Sequence, residues 1–115
     1  MPKLRIFLWQ TPLNALHVRG VLLHRGMMID PTCPLCGEDI ETIDHLFWDC
    51  STTKRVWRLA FQQQWVYLNP NAVRRATFLL WSIWKGRNDL VFQNRQFIPI
   101  RVLTCDKKAF AEWEI

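Results

Sequence analysis

A chain of 115 residues, half of them hydrophobic and 13% aromatic, has the size and composition of one packed core. That apolar content excludes a disordered polymer, and no apolar run reaches the ~20 residues of a membrane span. The net charge of +5 is uneven: residues 1–29 carry +4, residues 30–50 carry −6, and residues 51–115 carry +7.

Met1-Pro2-Lys3-Leu4-Arg5 lacks the apolar stretch and small-residue cleavage site of a secretory signal, so an intracellular location, nucleus or cytoplasm, is expected. Leu4, Phe7 and Leu8 share one face of a helix predicted over 3–16, which Pro12 bends or ends. A short helix over 18–25 places Val18, Leu22 and Arg25 about a turn apart, with Gly26 as its C-terminal cap. Asp30-Pro31-Thr32 leads into a cysteine turn, beyond which Thr42 caps a helix whose first turn is Ile43, Asp44 and His45.

Ser51 is the expected N-cap of a helix running to about Gln64, with Val56, Trp57, Ala60, Phe61 and Trp65 on its buried side. Asn69-Pro70-Asn71 forms a turn. A long helix over 72–92 carries Val73, Ala76, Thr77, Leu80, Trp84 and Val91 as its core stripe, and Gly86 marks close packing. Residues 93–98 connect to a last helix from about Pro99 to Glu114, bearing Val102, Leu103, Phe110 and Trp113, with Cys105 as a core thiol. Alternation with period two is scarce, and no repeat is visible. The expected fold is all-α, a small helical domain with an embedded metal turn.

That turn comes from Cys33, Cys36, His45 and Cys50, spaced Cys-x2-Cys-x8-His-x4-Cys. A Cys-x2-Cys pair lets two sulfurs converge on one ion, and Pro34 and Gly37 supply turn-compatible backbone. His45 and Cys50 both face the turn if their helix ends or tightens near Asp49. Three thiolates and an imidazole make a closed tetrahedral Cys3His site for one structural zinc ion. A disulfide pair with spare thiols, a redox dithiol and chance burial are the competing readings. The first lacks an export signal, and the second lacks a thioredoxin-like strand–helix pattern.

The order LRIFLWQTPLNALHVRGVLLHRG, CPLCGEDIETIDHLFWDC, KRVW and then WSIWKGRNDLVFQ resembles the zinc-binding domain of plant LINE-type retrotransposon reverse transcriptases and the segment that follows it. The resemblance covers most of residues 3–93. It rests on Phe7-Leu8-Trp9, Arg19, Arg25-Gly26, the four metal candidates and Trp84-Lys85-Gly86-Arg87-Asn88. It implies a zinc-binding domain over 1–93 with a C-terminal helical extension over 94–115, and Cys33, Cys36, His45 and Cys50 as ligands. Leu16-His17-Val18-Arg19 departs from the family's Leu-Pro-Thr-Arg. The chain starts almost at the domain's first residue, so an excised or degenerate remnant of a longer element is expected. The family's polymerase and RNase H-like domains, which lie outside this pattern, are candidate partners.

The functional expectation is a non-catalytic module that assists binding of RNA or an RNA–DNA template. Phosphate would meet the basic flanks rather than the acidic turn. Three clusters are candidates: Lys3, Arg5, Arg19 and Arg25; Lys54, Arg55 and Arg58; and Arg74, Arg75, Lys85 and Arg87. The rival expectation is a scaffolding element whose acidic turn docks on a basic polymerase surface. His17 and His24 have no nucleophile or carboxylate constellation near them in sequence, and a surface role is expected for both.

Overall fold

A computed structural model describes residues 16–66 and 72–114, with side chains through 112. The predicted helix over 3–16, Lys3, Arg5, the 69–71 turn and the Trp113 side chain lie outside the described residues. Four α-helices follow in chain order: α1 (Arg19–His24), α2 (Ser51–Gln62), α3 (Ala72–Gln93) and α4 (Pro99–Glu114). A short π turn, His45–Asp49, stands directly before α2. Among the described residues the sole extended pairing is an isolated antiparallel bridge between Thr32 and Ile40. The expected all-α class with an embedded metal turn is what the chain adopts.

Helix α1 ends as its sequence predicts. The Gly26 amide donates to Leu23 O and the Met27 amide to Leu22 O, which satisfies two terminal carbonyls. Helix α2 closes with the same two-bond pattern, Gln64 to Phe61 O and Trp65 to Ala60 O, although Gln64 replaces glycine at φ 54°. Its start differs from expectation. Cys50 holds the N-cap backbone and Ser51 is the first helical residue, because the chain emerges extended from the π turn one residue earlier than the Ser51 hydroxyl suggests.

Helix α4 packs against both α2 and α3. The core between them is Val56 and Ala60 of α2, Phe78, Leu79 and Ile83 of α3, and Leu103 and Phe110 of α4. Phe110 meets the Phe78 and Trp65 rings edge-on, each at 5.5 Å, the arrangement that sets a positive ring edge against a negative face. The Arg75 guanidinium lies 4.1 Å from the centre of the Trp65 ring and donates to Trp65 O.

Four burial expectations need correction. Phe61 is 53% exposed, since Thr53, Val56 and Ala60 define the buried face of α2 and Phe61 lies about 100° from Ala60. Val73 is 79% exposed, and the buried face of α3 is Phe78, Leu79, Ser82, Ile83 and Arg87. That face is rotated from the predicted stripe because two of its members are polar and meet buried acids. Cys105 is exposed, while its neighbour Asp106 is fully buried on the stripe with Leu103 and Phe110. Trp65 is half-buried beyond the end of α2. By contrast, Gly86 does lie in close packing, against Phe97 and Val102.

Asp106 accepts from Ser82 Oγ at 2.6 Å and from Trp65 Nε1 at 2.9 Å, joining all three parts of the helical core. Burial outweighs these donors and pushes its carboxyl up to about 6 from the usual 3.8. A raised folded-state value means that this group's contribution is fully favourable below pH 3.8 and is lost as pH rises through about 6. Asp106→Asn is therefore expected to gain on the parent by about 1 kcal/mol between pH 5 and pH 7. Urea midpoints of the two proteins at both pH values check this. A constant difference between them contradicts it.

Candidate metal centre

Cys33 and Cys36 sit on a tight hairpin held by backbone hydrogen bonds. The Cys33 amide donates to Asp39 O at 2.7 Å, the Glu41 amide to Pro31 O at 2.8 Å, and the Gly37 amide to Cys33 O at 2.9 Å. Gly37 adopts φ 71°, a conformation a residue with a side chain rarely takes, just past the second sulfur as its position predicts. Asp30 closes the approach by accepting the Thr32 amide at 3.0 Å, a bond that lowers its pKa from the ordinary 3.8.

His45 and Cys50 arrive from the other side. Thr42 caps their helical segment as predicted, its Oγ1 accepting the His45 amide at 3.0 Å. In a regular α-helix residues five apart diverge by about 140° around the axis. Here the segment widens instead of tightening: the Cys50 amide bonds to His45 O at 2.7 Å, an i to i+5 closure. The extra residue in the turn brings Cys50 round beside His45. Widening also leaves carbonyls to be satisfied, and α2 supplies the donors: Thr53 Oγ1 reaches Leu46 O at 2.6 Å and Trp57 Nε1 reaches Phe47 O at 2.8 Å.

The four ligand atoms lie within 4.8 Å of one another. Cys36 Sγ is 3.3 Å from His45 Nε2, and Cys33 Sγ is 3.9 Å from Cys50 Sγ. A tetrahedral zinc with ordinary bond lengths separates two sulfurs by about 3.8 Å and a sulfur from a nitrogen by about 3.6 Å. The donor set and its spacing fit one structural zinc ion, and four protein ligands fill its tetrahedron. Cys33 and Cys50 are buried, and His45 is 8% exposed.

The thiols are also electrostatically prepared. Cys33 donates to Cys50, which pulls the Cys50 thiol down to about 4, helped by the Thr53 and Thr52 amides at the start of α2. The same shared proton, with burial, pushes Cys33 up against the pull of the Cys36 and Leu35 amides. Amide donors on thiolate sulfurs are the usual support of zinc–thiolate centres.

A buried ion pair clamps this turn to the helices. Glu41 is fully buried, and its carboxylate accepts Arg87 Nε at 2.8 Å, Arg87 Nη2 at 2.6 Å and the Arg19 amide at 2.7 Å. Gly20 brings α1 against the same strand: its amide donates to Glu41 O at 2.8 Å, and a Cβ there would fall 2.6 Å from that oxygen. Sequence reasoning placed Arg87 among the phosphate contacts and did not single out Glu41. Arg87 is 3% exposed and wholly engaged, so it leaves that set. No local signal separates Glu41 from the exposed acids Glu38, Asp39 and Asp44 beside it.

The other predicted basic residues divide clearly. Arg19 is half-buried and donates to Thr32 O at 3.0 Å, and Arg75 is stacked on Trp65. Arg25, Lys54, Arg55, Arg58, Arg74 and Lys85 are exposed. Lys54 lines an apolar groove of about 420 Å³ with Trp48, Trp57, Phe61, Val66 and Ala76. Trp48 stacks on Trp57 at 5.1 Å between ring centres and remains 50% exposed. His17 and His24 are exposed, the surface position expected of them. No helix among the described residues is long and apolar enough to cross a membrane.

Neither a curated protein nor a solved structure matches the chain. A family model does, and the matched residues contain the hairpin, the π turn and all four metal candidates. Over residues 1–57 the chain is similar to the family described as zinc-binding in reverse transcriptase, an accessory module distinct from the polymerase domain.

Proposed function

We propose that the chain is a non-catalytic zinc module of a plant LINE-type reverse transcriptase, with Cys33, Cys36, His45 and Cys50 as ligands, and that it assists binding of single-stranded RNA or template. The observation that carries the nucleic-acid reading is the outer face of α2. Lys54, Trp57, Arg58 and Phe61 fall within about 100° of one another around the helix, beside the exposed face of Trp48. Cations that meet phosphates next to rings that stack on bases are the recurring parts of single-strand binding. Phosphate is repelled from the metal turn, where Asp30, Glu38, Asp39, Asp44 and Asp49 stay exposed. The module is taken as residues 1–93, with 94–115 as a helical extension; the packing of α4 on α2 and α3 supports counting that extension as part of one folded unit.

Those same exposed acids favour the second reading, in which the turn docks on a basic surface of the reverse transcriptase or RNase H-like domains. Titrating labelled single-stranded RNA into the zinc-loaded protein over a salt series separates the two. Affinity is expected to fall steeply with salt, and Lys54→Ala with Arg58→Ala should make the slope shallower by about two. No binding even at low salt rejects the nucleic-acid reading and leaves docking.

A further inference from the structure

A second cleft lies at the other end of α3, outside the stretch that matches the family. It has a volume of about 540 Å³ and runs between α3, the 94–98 connector and the first turns of α4. Its charged lining is three cations, Lys85, Arg95 and Arg101, against one acid, Asp89. Its apolar wall includes the half-buried Trp81 and Phe97 rings. The first turn of α4 contains no acid to neutralise the cations. Among the described residues none of the three cationic side chains has a hydrogen-bond or ion-pair partner, and Lys85 only leans over the Trp81 ring at 5.8 Å. Elsewhere the protein pairs its inward cations: Arg87 with Glu41, and Arg75 with the Trp65 ring and carbonyl.

We propose that this cleft binds one nucleotide unit, either free or as part of a strand. The phosphate sits among Arg95, Arg101 and Lys85, where an arginine fork matches its oxygens. The base lies along the Trp81 and Phe97 wall, and Asp89 accepts a ribose hydroxyl or an exocyclic amine. A cleft of this volume matches the size of ordinary small-ligand sites, which are concave and mostly apolar with a few placed polar groups. Cys105 lines the same cleft and is exposed, so it reports occupancy without being needed for binding. This site is independent of the α2 face, so either can fail without the other.

The test uses the full zinc-loaded chain and follows alkylation of Cys105 by peptide mass mapping, with affinity measured by calorimetry. Adenosine monophosphate is expected to slow Cys105 alkylation, and inorganic phosphate to compete at least tenfold more weakly. Arg95→Ala with Arg101→Ala, both exposed, should weaken adenosine monophosphate at least tenfold while zinc content and helicity stay unchanged. A ten-nucleotide single strand distinguishes the sources: protection by the strand and not by the mononucleotide assigns the site to a unit within a chain. Absence of protection by either overturns the proposal, as does protection that the double variant leaves intact. Equal competition by inorganic phosphate or by an acidic peptide overturns recognition of the base.

Discussion

Cys36→Ser, or removal of metal by a strong chelator, is expected to unfold at least residues 30–60. Structural zinc in small finger peptides contributes roughly 10–16 kcal/mol at neutral pH, whereas whole domains are stable by only about 5–15 kcal/mol. The geometry shows why the loss would spread. Two ligands ride on the 33–36 hairpin and two on the segment that feeds directly into α2, and Thr52 Oγ1 bonding to Leu35 O at 3.2 Å is a slender replacement for the bridge. Amide exchange should reach the unprotected limit through the hairpin and π turn, with zinc content reduced in parallel. Cys36 is only half-buried, so a serine there leaves no large cavity to confuse the result. Cys105→Ser serves as the control, because that thiol is exposed and remote in sequence. Unchanged circular dichroism and exchange after verified metal removal would refute the assignment.

The next largest effect belongs to the Glu41–Arg87 pair. Arg87→Met leaves a fully buried carboxylate with the Arg19 amide as its remaining described donor. Removing one member of a buried pair typically costs about 3–5 kcal/mol, mainly because the other charge is stranded. The double change Glu41→Met with Arg87→Met should recover much of that loss, since no charge is then left buried. Urea unfolding of the two single variants and the double variant measures the cycle. Additive losses would mean that the ion pair itself is not what binds the metal turn to α3. The pair also places a requirement on the domain: the partner that holds the family-matched turn lies at residue 87, beyond the matched residues 1–57.

How far each feature was legible in the sequence follows from how local its cause is. The ligand set could be read because two sulfurs two residues apart, with a turn residue beside them, converge wherever the rest of the chain goes. The Thr42 cap, the end of α1 at Gly26 and the span of α4 rest on bonds made within a few residues. The close packing at Gly86 was legible for the same kind of reason, since a missing side chain in a helix needs a neighbour to justify it. Periodicity correctly indicated helices throughout the described residues.

The rotation of those helices was another matter. An apolar stripe fits α3 in several orientations, and the one adopted buries Ser82 and Arg87 because Asp106 and Glu41 stand opposite them. Those partners are 24 and 46 residues away in the chain, and no local pattern announces such pairs. Cys105 and Phe61 were misplaced for the same reason: hydrophobicity alone does not tell which side of a helix another helix will cover. The widened turn at His45–Asp49 likewise depends on Thr53 and Trp57 accepting its displaced carbonyls into their hydrogen-bond reach. Sequence by itself determined the helical class, the caps and the four metal candidates, all short-range matters of backbone geometry and donor chemistry. Tertiary structure alone decided which charges are buried and which cations remain available to a ligand, because those outcomes depend on long-range pairing that desolvation makes obligatory.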